Sequence, residues 1–206
     1  MKKFTKQDLR EIARAVKKAE SKTSGEIVPF VTEQAEEYLE GALIFTLVVL
    51  LLTIFTYLSL ATWRSVSGLL LWEFCGLLIG ALLTIVFPKS RLLFLGQQYV
   101  AQMTRQRALK AFYEHGLTHT KHGTGILLAL FFLEKRVEVV TDAGISKKIK
   151  QPKWDEVVKI IVAEAKKGQI KAGFIQGIAR CGELLAKVLP ARGKNKNELS
   201  DQLIRE

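Results

Sequence analysis

The residues that could do chemistry in this chain lie mostly after residue 88, in short groups. The three histidines, His115, His119 and His122, fall within one short stretch. Imidazoles bind transition metals when one helix face or neighbouring strands bring them together. Here Gly116 is expected to end the preceding helix, and on an extended segment His119 and His122 point to opposite faces. We therefore favour a solvated loop over a transition-metal site.

Asp142 is the acidic residue best placed to bind a divalent cation such as calcium. It follows the second strand of a predicted hairpin, and hard cations prefer several carboxylate or carbonyl oxygens. Aspartate is also common in turns, where its side chain accepts hydrogen bonds from the backbone. Asp142 is thus a candidate metal ligand, with a turn role as the simpler alternative.

Basic residues are densest at four positions, Lys147, Lys148, Lys150 and Lys153. Each basic side chain close to an anionic leaflet gains about 1 kcal/mol of attraction, so we predict contact with a membrane surface or a partner. A solvated face is the alternative. Since no recognised nucleic-acid reading element accompanies the charge, we predict no nucleic-acid partner.

The C-terminal tail carries a short polar motif, Asn197, Glu198 and Asp201, which could dock on the domain or on a partner, or be solvated. The chain has no phosphate-binding loop, nucleophile elbow or catalytic Cys/His pairing. No catalytic residue is therefore assigned, and an enzymatic role is not favoured.

The positions of the charges divide the chain. The 206 residues are 49% hydrophobic with a net charge of +11. Residues 1–40 are neutral overall, residues 89–206 hold the whole excess, and 41–88 contain two charged side chains, Arg64 and Glu73. The runs 41–63 and 68–87 are each long enough to cross a bilayer as a helix. We predict a transmembrane hairpin, with Glu73 either functional or close to the headgroups.

Two crossings place both flanks on one side of the membrane. Lys89, Arg91, Arg105 and Arg107 follow the second crossing, whereas the tip has Arg64 alone, so the positive-inside rule predicts that both termini are cytoplasmic. The start of the chain lacks the apolar region of a signal peptide. Cys75 lies in the membrane run and Cys181 in the soluble part, which excludes a disulfide between them.

The remaining residues predict one α/β domain that the hairpin interrupts. Thr5 and Asp8 suit a helix cap before an apolar stripe that ends near Glu20, and 26–32 reads as a strand. Pro29 indicates an edge strand or a bulge. Helices are predicted over 91–115, 152–167 and 170–189, and a hairpin of strands over 124–141. The tail from 190 to 206 is predicted to be extended.

These segments fit together as a small mixed sheet flanked by helices. Residues 1–40 supply its first helix and strand, 41–88 the membrane hairpin, 89–189 the rest of the domain, and 190–206 a polar tail. The first forty residues are too few to fold alone, so their strand is expected to pair with the 124–141 hairpin.

Three segments resemble the TPM-domain family. The run TKHGTGILLALFFLEKRVEVVTDAGI at 120–145 is similar to the family's central hairpin, and 154–185 is similar to its two closing helices. Residues 197–201 (NELSD) resemble the Asn-Glu-Leu-Pro-Asp ending of a bacterial subgroup, with serine in place of proline. That subgroup also has a membrane hairpin after its first strand.

The resemblance implies a bacterial cytoplasmic-membrane protein that assembles, maintains or modulates a membrane protein complex, with LemA-type proteins as partners. It also implies divalent-cation binding and, as an alternative function, weak metal-assisted phosphatase activity. Many family members have an acidic residue, Asn and Gly before the central strand, where this chain has Lys121, His122 and Gly123. This departure weakens the expectation of a cation. Binding of anionic lipid headgroups by the lysine cluster is a third, weaker hypothesis.

Overall fold

The computed structural model describes residues 4–60, 65–120, 123–191 and 199–206. The chain forms two compact units, one made of 1–35 and 104–206 and the other of 36–103. The α-helices within the described residues are α1 (Lys6–Glu20), α2 (Leu39–Leu60), α3 (Val66–Val86), α4 (Gln97–Glu114), α5 (Ala143–Ser146), α6 (Gln151–Lys166) and α7 (Ile170–Val188).

The first unit is built on a mixed four-stranded sheet in the order β3-β2-β1-β4. Strand β1 (Glu26–Thr32) runs parallel to β2 (Gly125–Phe131), which is antiparallel to β3 (Arg136–Thr141). The short β4 (Ile204–Arg205) pairs in parallel with β1. The predicted α/β fold class, with a small mixed sheet flanked by helices, is confirmed.

Both faces of this sheet are covered, which explains the unbroken apolar run in β2. Ile126 and Leu128 face a core shared with α1, α6 and α7. Leu127 and Ala129 alternate to the opposite face and are also fully buried. The C-terminal half of α4 lies on that face, where Thr104 donates a hydrogen bond to Glu138 at 3.2 Å.

The first helix begins as its sequence predicts. The Thr5 hydroxyl accepts a hydrogen bond from the Asp8 N–H, and the Asp8 carboxylate accepts one from the Thr5 N–H, which satisfies two otherwise orphaned donors. Ile12 and Val16 then point into the core with no solvent exposure. The helix ends at Glu20, and the chain turns directly into β1.

The position of Pro29 differs in part from the expectation of an edge strand or a bulge. Strand β1 pairs with β2 over its whole length without a bulge, so it is not an edge strand. The Glu26 N–H donates to Thr124 on the β2 side, so alternation points the backbone of Pro29 away from β2. On that other side β4 pairs only with Phe30 and Val31. Pro29 lacks a backbone N–H, and on this side of β1 the short strand β4 does not require a hydrogen bond from that position.

Helices α6 and α7 pack closely through glycine. A Cβ atom on Gly173 would lie 2.9 Å from the carbonyl oxygen of Ile161, and one on Gly177 would lie 2.6 Å from the Ile161 side chain. Pro152 occupies the first turn of α6, where its missing N–H costs nothing. Gly168, with a φ of 77°, separates the two helices.

The second unit contains the antiparallel pair α2 and α3. A Cβ on Gly76 would lie 2.8 Å from the Thr53 hydroxyl, and one on Gly80 would lie 3.0 Å from the Thr46 methyl. Small residues thus let the helix backbones approach, as in membrane helix pairs. Both helices are long and apolar enough to cross a membrane, with mean hydropathies of 2.5 and 2.3. Residues 61–63 and Arg64, at the predicted tip, lie outside the described residues.

Two predicted elements differ from the structure. The helix predicted over 91–115 begins only at Gln97, after a 3₁₀ turn at Pro88–Leu92. It ends as expected, because Gly116 has the left-handed φ of 70°. Within the predicted tail, Ile204–Arg205 form β4, which neither hydrophobic alternation nor turn residues indicate in so short a segment.

Candidate functional site

Asp142 caps the short helix α5. Its Oδ1 accepts the N–H of Ala143 at 2.6 Å, and its own N–H donates to the Gly125 carbonyl at 3.0 Å. Gly123 has a φ of 62°, and a Cβ there would lie 3.5 Å from the Asp142 carboxylate. The structure therefore brings Asp142 next to the turn that precedes β2, which is where the TPM resemblance places cation ligands.

The described residues around Asp142 do not fit a divalent cation. Calcium takes six to eight oxygen ligands, and Asp142 already uses one of its oxygens as a helix cap. No group of three His, Cys, Asp or Glu side chains that could hold a metal occurs within the described ranges. Lys121 and His122 lie outside those ranges.

The histidines are spread over different environments. The His115 ring packs 6.0 Å from the Phe30 ring, and its Nε2 lies 3.4 Å from the Glu206 carboxylate. His119 ends the 3₁₀ turn Leu117–His119 and is exposed. His115 and His119 thus lie in different surroundings, and His115 has a carboxylate neighbour.

The four lysines of the basic cluster surround the turn from α5 to α6 and are all exposed. Lys153 donates to Glu156 at 2.7 Å, and Arg180 of α7 donates to the same carboxylate at 2.8 Å. These two hydrogen bonds lower the pKa of Glu156 to about 2. Lys147, Lys148 and Lys150 form no ion pair with any described residue, so their charges are available to a surface or a partner.

The tail motif meets the domain through Asp201. Its carboxyl group lies near that of Glu20, at the C-terminal end of α1. Burial, together with the nearby charges of Glu26 and Asp201, raises the pKa of Glu20 to about 8, although the Ile27 N–H opposes the shift. Asn197 and Glu198 lie outside the described residues, so Asp201 is the one member of the motif that the structure places.

The residues after Asp201 hold the tail against the sheet. Leu203 is 8% exposed and joins the main core. The Glu206 N–H donates to the Val31 carbonyl at 3.1 Å, and its carboxylate forms an ion pair with Arg107. Arg107 also lies 5.4 Å above the Phe30 ring. In the sequence, Glu20 and Arg107 look like ordinary solvated residues of amphipathic helices, so their positions beside the tail could not be predicted.

One acidic side chain lies between the two apolar helices. Glu73 and Thr53 are joined by a hydrogen bond of 3.1 Å between Oε2 and the hydroxyl, and the Trp72 indole N–H donates to the Thr53 carbonyl at 3.0 Å. Glu73 therefore contacts the facing helix of the pair.

Two other buried groups have no catalytic arrangement. Burial raises the pKa of Glu138, and the Thr104 hydroxyl and the Arg105 charge partly offset this rise. Burial also raises the pKa of the Cys181 thiol to about 12, so this thiol stays protonated and unreactive. Neither group lies beside a nucleophile and a base in the described part of the chain.

The comparisons with known proteins agree with this architecture. The family model described as the TPM domain matches residues 95–184, which include β2, β3, α6 and most of α7. This part of the chain is similar to the TPM domain. Among curated proteins, none matches the sequence.

The fold of the chain is similar to that of a solved structure. The NMR structure of the BA42 protein from the psychrophilic bacterium Bizionia argentinensis has a TM-score of 0.62 and 19% sequence identity. The similarity covers 100% of this chain and 98% of that one. At this level of identity the likeness concerns the fold alone.

Proposed function

We propose that this protein is a membrane-anchored TPM domain that serves as an interaction, assembly or maintenance factor for a membrane protein complex. The observation that carries the proposal is the pair α2 and α3, whose apolar side chains face outwards. Leu43, Phe55 and Leu71 are each at least two-thirds exposed. A monomeric soluble protein rarely exposes so large a contiguous apolar surface.

The alternative of a buried hairpin in a soluble core does not suit these helices. The most apolar window of α2 is 0% buried and that of α3 is 17% buried. Core helices would be covered on most sides. Hydrocarbon supplies the missing cover, and the small residues between the helices supply their mutual contact.

The proposed domain organisation follows from the pairing of the flanks. Residues 41–88 form the membrane hairpin, and 1–40 with 89–189 form one domain that the hairpin interrupts, followed by the tail 190–206. Support comes from β1, which pairs with β2 along all seven residues, and from Gly182 of α7, where a Cβ would lie 2.7 Å from Ala19 of α1.

We place the domain and both termini on the cytoplasmic side of a bacterial inner membrane. Lys89 and Arg91 follow α3 directly, and the positive-inside rule assigns segments rich in such basic residues to the cytoplasm. Under an anionic leaflet, the basic excess after residue 88 is attracted rather than repelled.

The test of the assembly role is site-specific crosslinking in intact membranes. A photoreactive residue replaces Phe55 on the outer face of α2 in one variant and Lys148 in another, and each product is purified in mild detergent. We expect one membrane protein, with a LemA-type protein as the first candidate, to be recovered above the level seen with an unrelated two-pass protein. Equal recovery of that membrane protein with this chain and with the unrelated two-pass protein would contradict the proposal.

Anionic lipid headgroups are a second candidate for the lysine cluster, because Lys147, Lys148 and Lys150 are exposed and not ion-paired with described residues. The full chain in nanodiscs of neutral or anionic lipid is compared by hydrogen exchange over 147–153. Protection confined to anionic discs, and lost when the three lysines become glutamine, supports the contact. The matched control replaces Lys166 and Lys167, and equal exchange in both lipids contradicts the contact.

A further inference from the structure

The residues that follow α3 return to the beginning of α2. Residues 88–95, which we call the boundary segment, begin with the 3₁₀ turn Pro88–Leu92 and pack against α2. The ring of Phe94 lies 6.4 Å from the ring of Phe45. Phe45 is six residues into α2, or about 9 Å along a helix that rises 1.5 Å per residue. The boundary segment therefore contacts a part of α2 that belongs to the apolar hairpin.

Arg91 joins the boundary segment to both helices of the pair. Its Nε donates to the Thr84 carbonyl of α3 at 3.0 Å, and its Nη1 donates to the Glu37 carbonyl, just before α2, at 3.1 Å. The residue four positions after Thr84 is Pro88, which has no N–H to offer to that carbonyl. Arg91 thus satisfies a backbone carbonyl that would otherwise be without a partner near the hydrocarbon.

The backbone of the boundary segment is suited to a place where water is scarce. The N–H groups of Ser90, Leu93 and Leu95 donate to the carbonyls three residues before them at distances between 2.9 and 3.2 Å. Gly41 of α2 allows the close approach, because a Cβ there would collide with the carbonyl oxygen of Arg91. A non-helical segment can lie beside lipid only when its polar backbone groups find such partners within the protein.

The side chains on the outside of the boundary segment are mostly apolar. Leu93 is 67% exposed and Phe94 is 44% exposed. Val86 and Phe87, which lead into the segment, are also more than half exposed. Lys89 is exposed between these two groups. The apolar surface of α3 thus continues along the chain past the end of the helix, with a basic residue within it.

We propose that the boundary segment lies in the membrane interface, with Leu93 and Phe94 inserted among the acyl chains of the cytoplasmic leaflet. The inference rests on the proposed function, because it takes α2 and α3 to cross the membrane. Lys89 can lay its alkyl stem along the apolar surface while its ammonium group reaches the phosphates of the headgroups. An anionic leaflet complements this charge.

Lipid is the occupant that fits the boundary segment, because its exposed face continues the surface that α3 presents to hydrocarbon. Large apolar side chains beside a basic residue are typical of elements that lie at the boundary between headgroups and acyl chains. The chain then leaves the membrane after Leu95 rather than at Pro88. The anchor consists of two crossing helices and one interfacial segment.

The test is depth-dependent fluorescence quenching of the full chain in liposomes. After Cys75 and Cys181 are replaced by alanine, Leu93→Cys receives an environment-sensitive fluorophore. The liposomes contain phosphatidylcholine and phosphatidylglycerol, with bromine placed on the acyl chains either close to the headgroups or close to the chain ends. We expect the fluorophore at position 93 to lose more fluorescence to the shallow bromine than to the deep bromine.

Two further positions serve as references. Leu51→Cys, near the middle of α2, reports whether the hairpin crosses the membrane, and its fluorophore should lose more fluorescence to the deep bromine. Tyr113→Cys is the matched control outside the helix pair, because Tyr113 is 65% exposed, almost as much as Leu93. The fluorophore at position 113 should keep its fluorescence in both lipids.

The outcomes separate this inference from the proposed function. If the fluorophore is quenched at position 51 but emits as in water at position 93, the boundary segment lies outside the membrane and the inference is wrong, while the anchor stands. Blue-shifted emission at position 93 without quenching would assign the face to a protein contact and would also overturn the inference. An unquenched fluorophore at position 51 would contradict the membrane anchor and, with it, this inference.

Discussion

Asp142 shows how the contacts of a single carboxylate separate two roles. As a cap it needs one oxygen on the N–H of Ala143, and the structure provides this at 2.6 Å. As a cation ligand it needs further oxygen donors, and the described residues hold no group of three His, Cys, Asp or Glu side chains that could bind a metal with it. The geometry therefore favours the turn role over metal-assisted phosphatase chemistry.

This assignment predicts the behaviour of two substitutions. Asp142→Ala should lower the free energy of unfolding by about 0.5–2 kcal/mol through loss of the cap, whereas Asp142→Asn should cost much less because asparagine also caps. The measurement is thermal unfolding of the full chain in detergent, with and without calcium. A calcium-dependent rise in melting temperature that vanishes in Asp142→Asn would instead establish a cation site.

At the scale of elements, the contact between α2 and α3 is a packing of small residues rather than of large ones. Gly76 and Gly80 are one turn apart on α3 and meet Thr53 and Thr46 of α2. Glu73 adds a hydrogen bond to the same seam. Since lipid is as apolar as leucine, such close contacts and hydrogen bonds are what hold two membrane helices together.

Gly80→Leu should therefore weaken the hairpin. Its Cβ would lie 3.3 Å from the Thr46 Cα, an atom of the backbone, so the helices must separate. We expect a loss of about 1–3 kcal/mol, measured by SDS titration of the purified chain followed by circular dichroism. Ile79→Leu, at a position that is 53% exposed, is the control. Equal stability of the two variants would contradict this packing.

Elements with strong local signals could be predicted from the sequence, and elements defined by distant partners could not. The Thr5 cap, the apolar run of β2 and Pro152 are local features, and each lies where the pattern indicates. Strand β4 exists only because β1 offers an edge, and Glu20 has its raised pKa because the fold buries it and brings acidic neighbours close to it. Neither the pairing of β4 with β1 nor the surroundings of Glu20 can be predicted from local sequence patterns.

For the whole molecule, the topology requires the two flanks of the hairpin to lie on the same side of the membrane. Both flanks of the hairpin contribute to one sheet, because β1 precedes α2 and β2 follows α3. A chain that crosses the membrane twice between two paired strands must keep both strands on the same side. In the orientation proposed above, the charge pattern assigns that side to the cytoplasm.

Single cysteines test this arrangement in intact cells. After the native Cys75 and Cys181 are replaced by alanine, a membrane-impermeant maleimide is applied to variants Ser67→Cys, at the hairpin tip, and Lys148→Cys and Gln7→Cys, in the domain. We expect labelling of the tip variant from outside, and labelling of the two domain variants only after the membrane is opened. The reverse pattern would invert the orientation, and different labelling at positions 7 and 148 would contradict two crossings. Because β1 and β2 can pair only on one side of the membrane, agreement between those two positions is the stricter requirement.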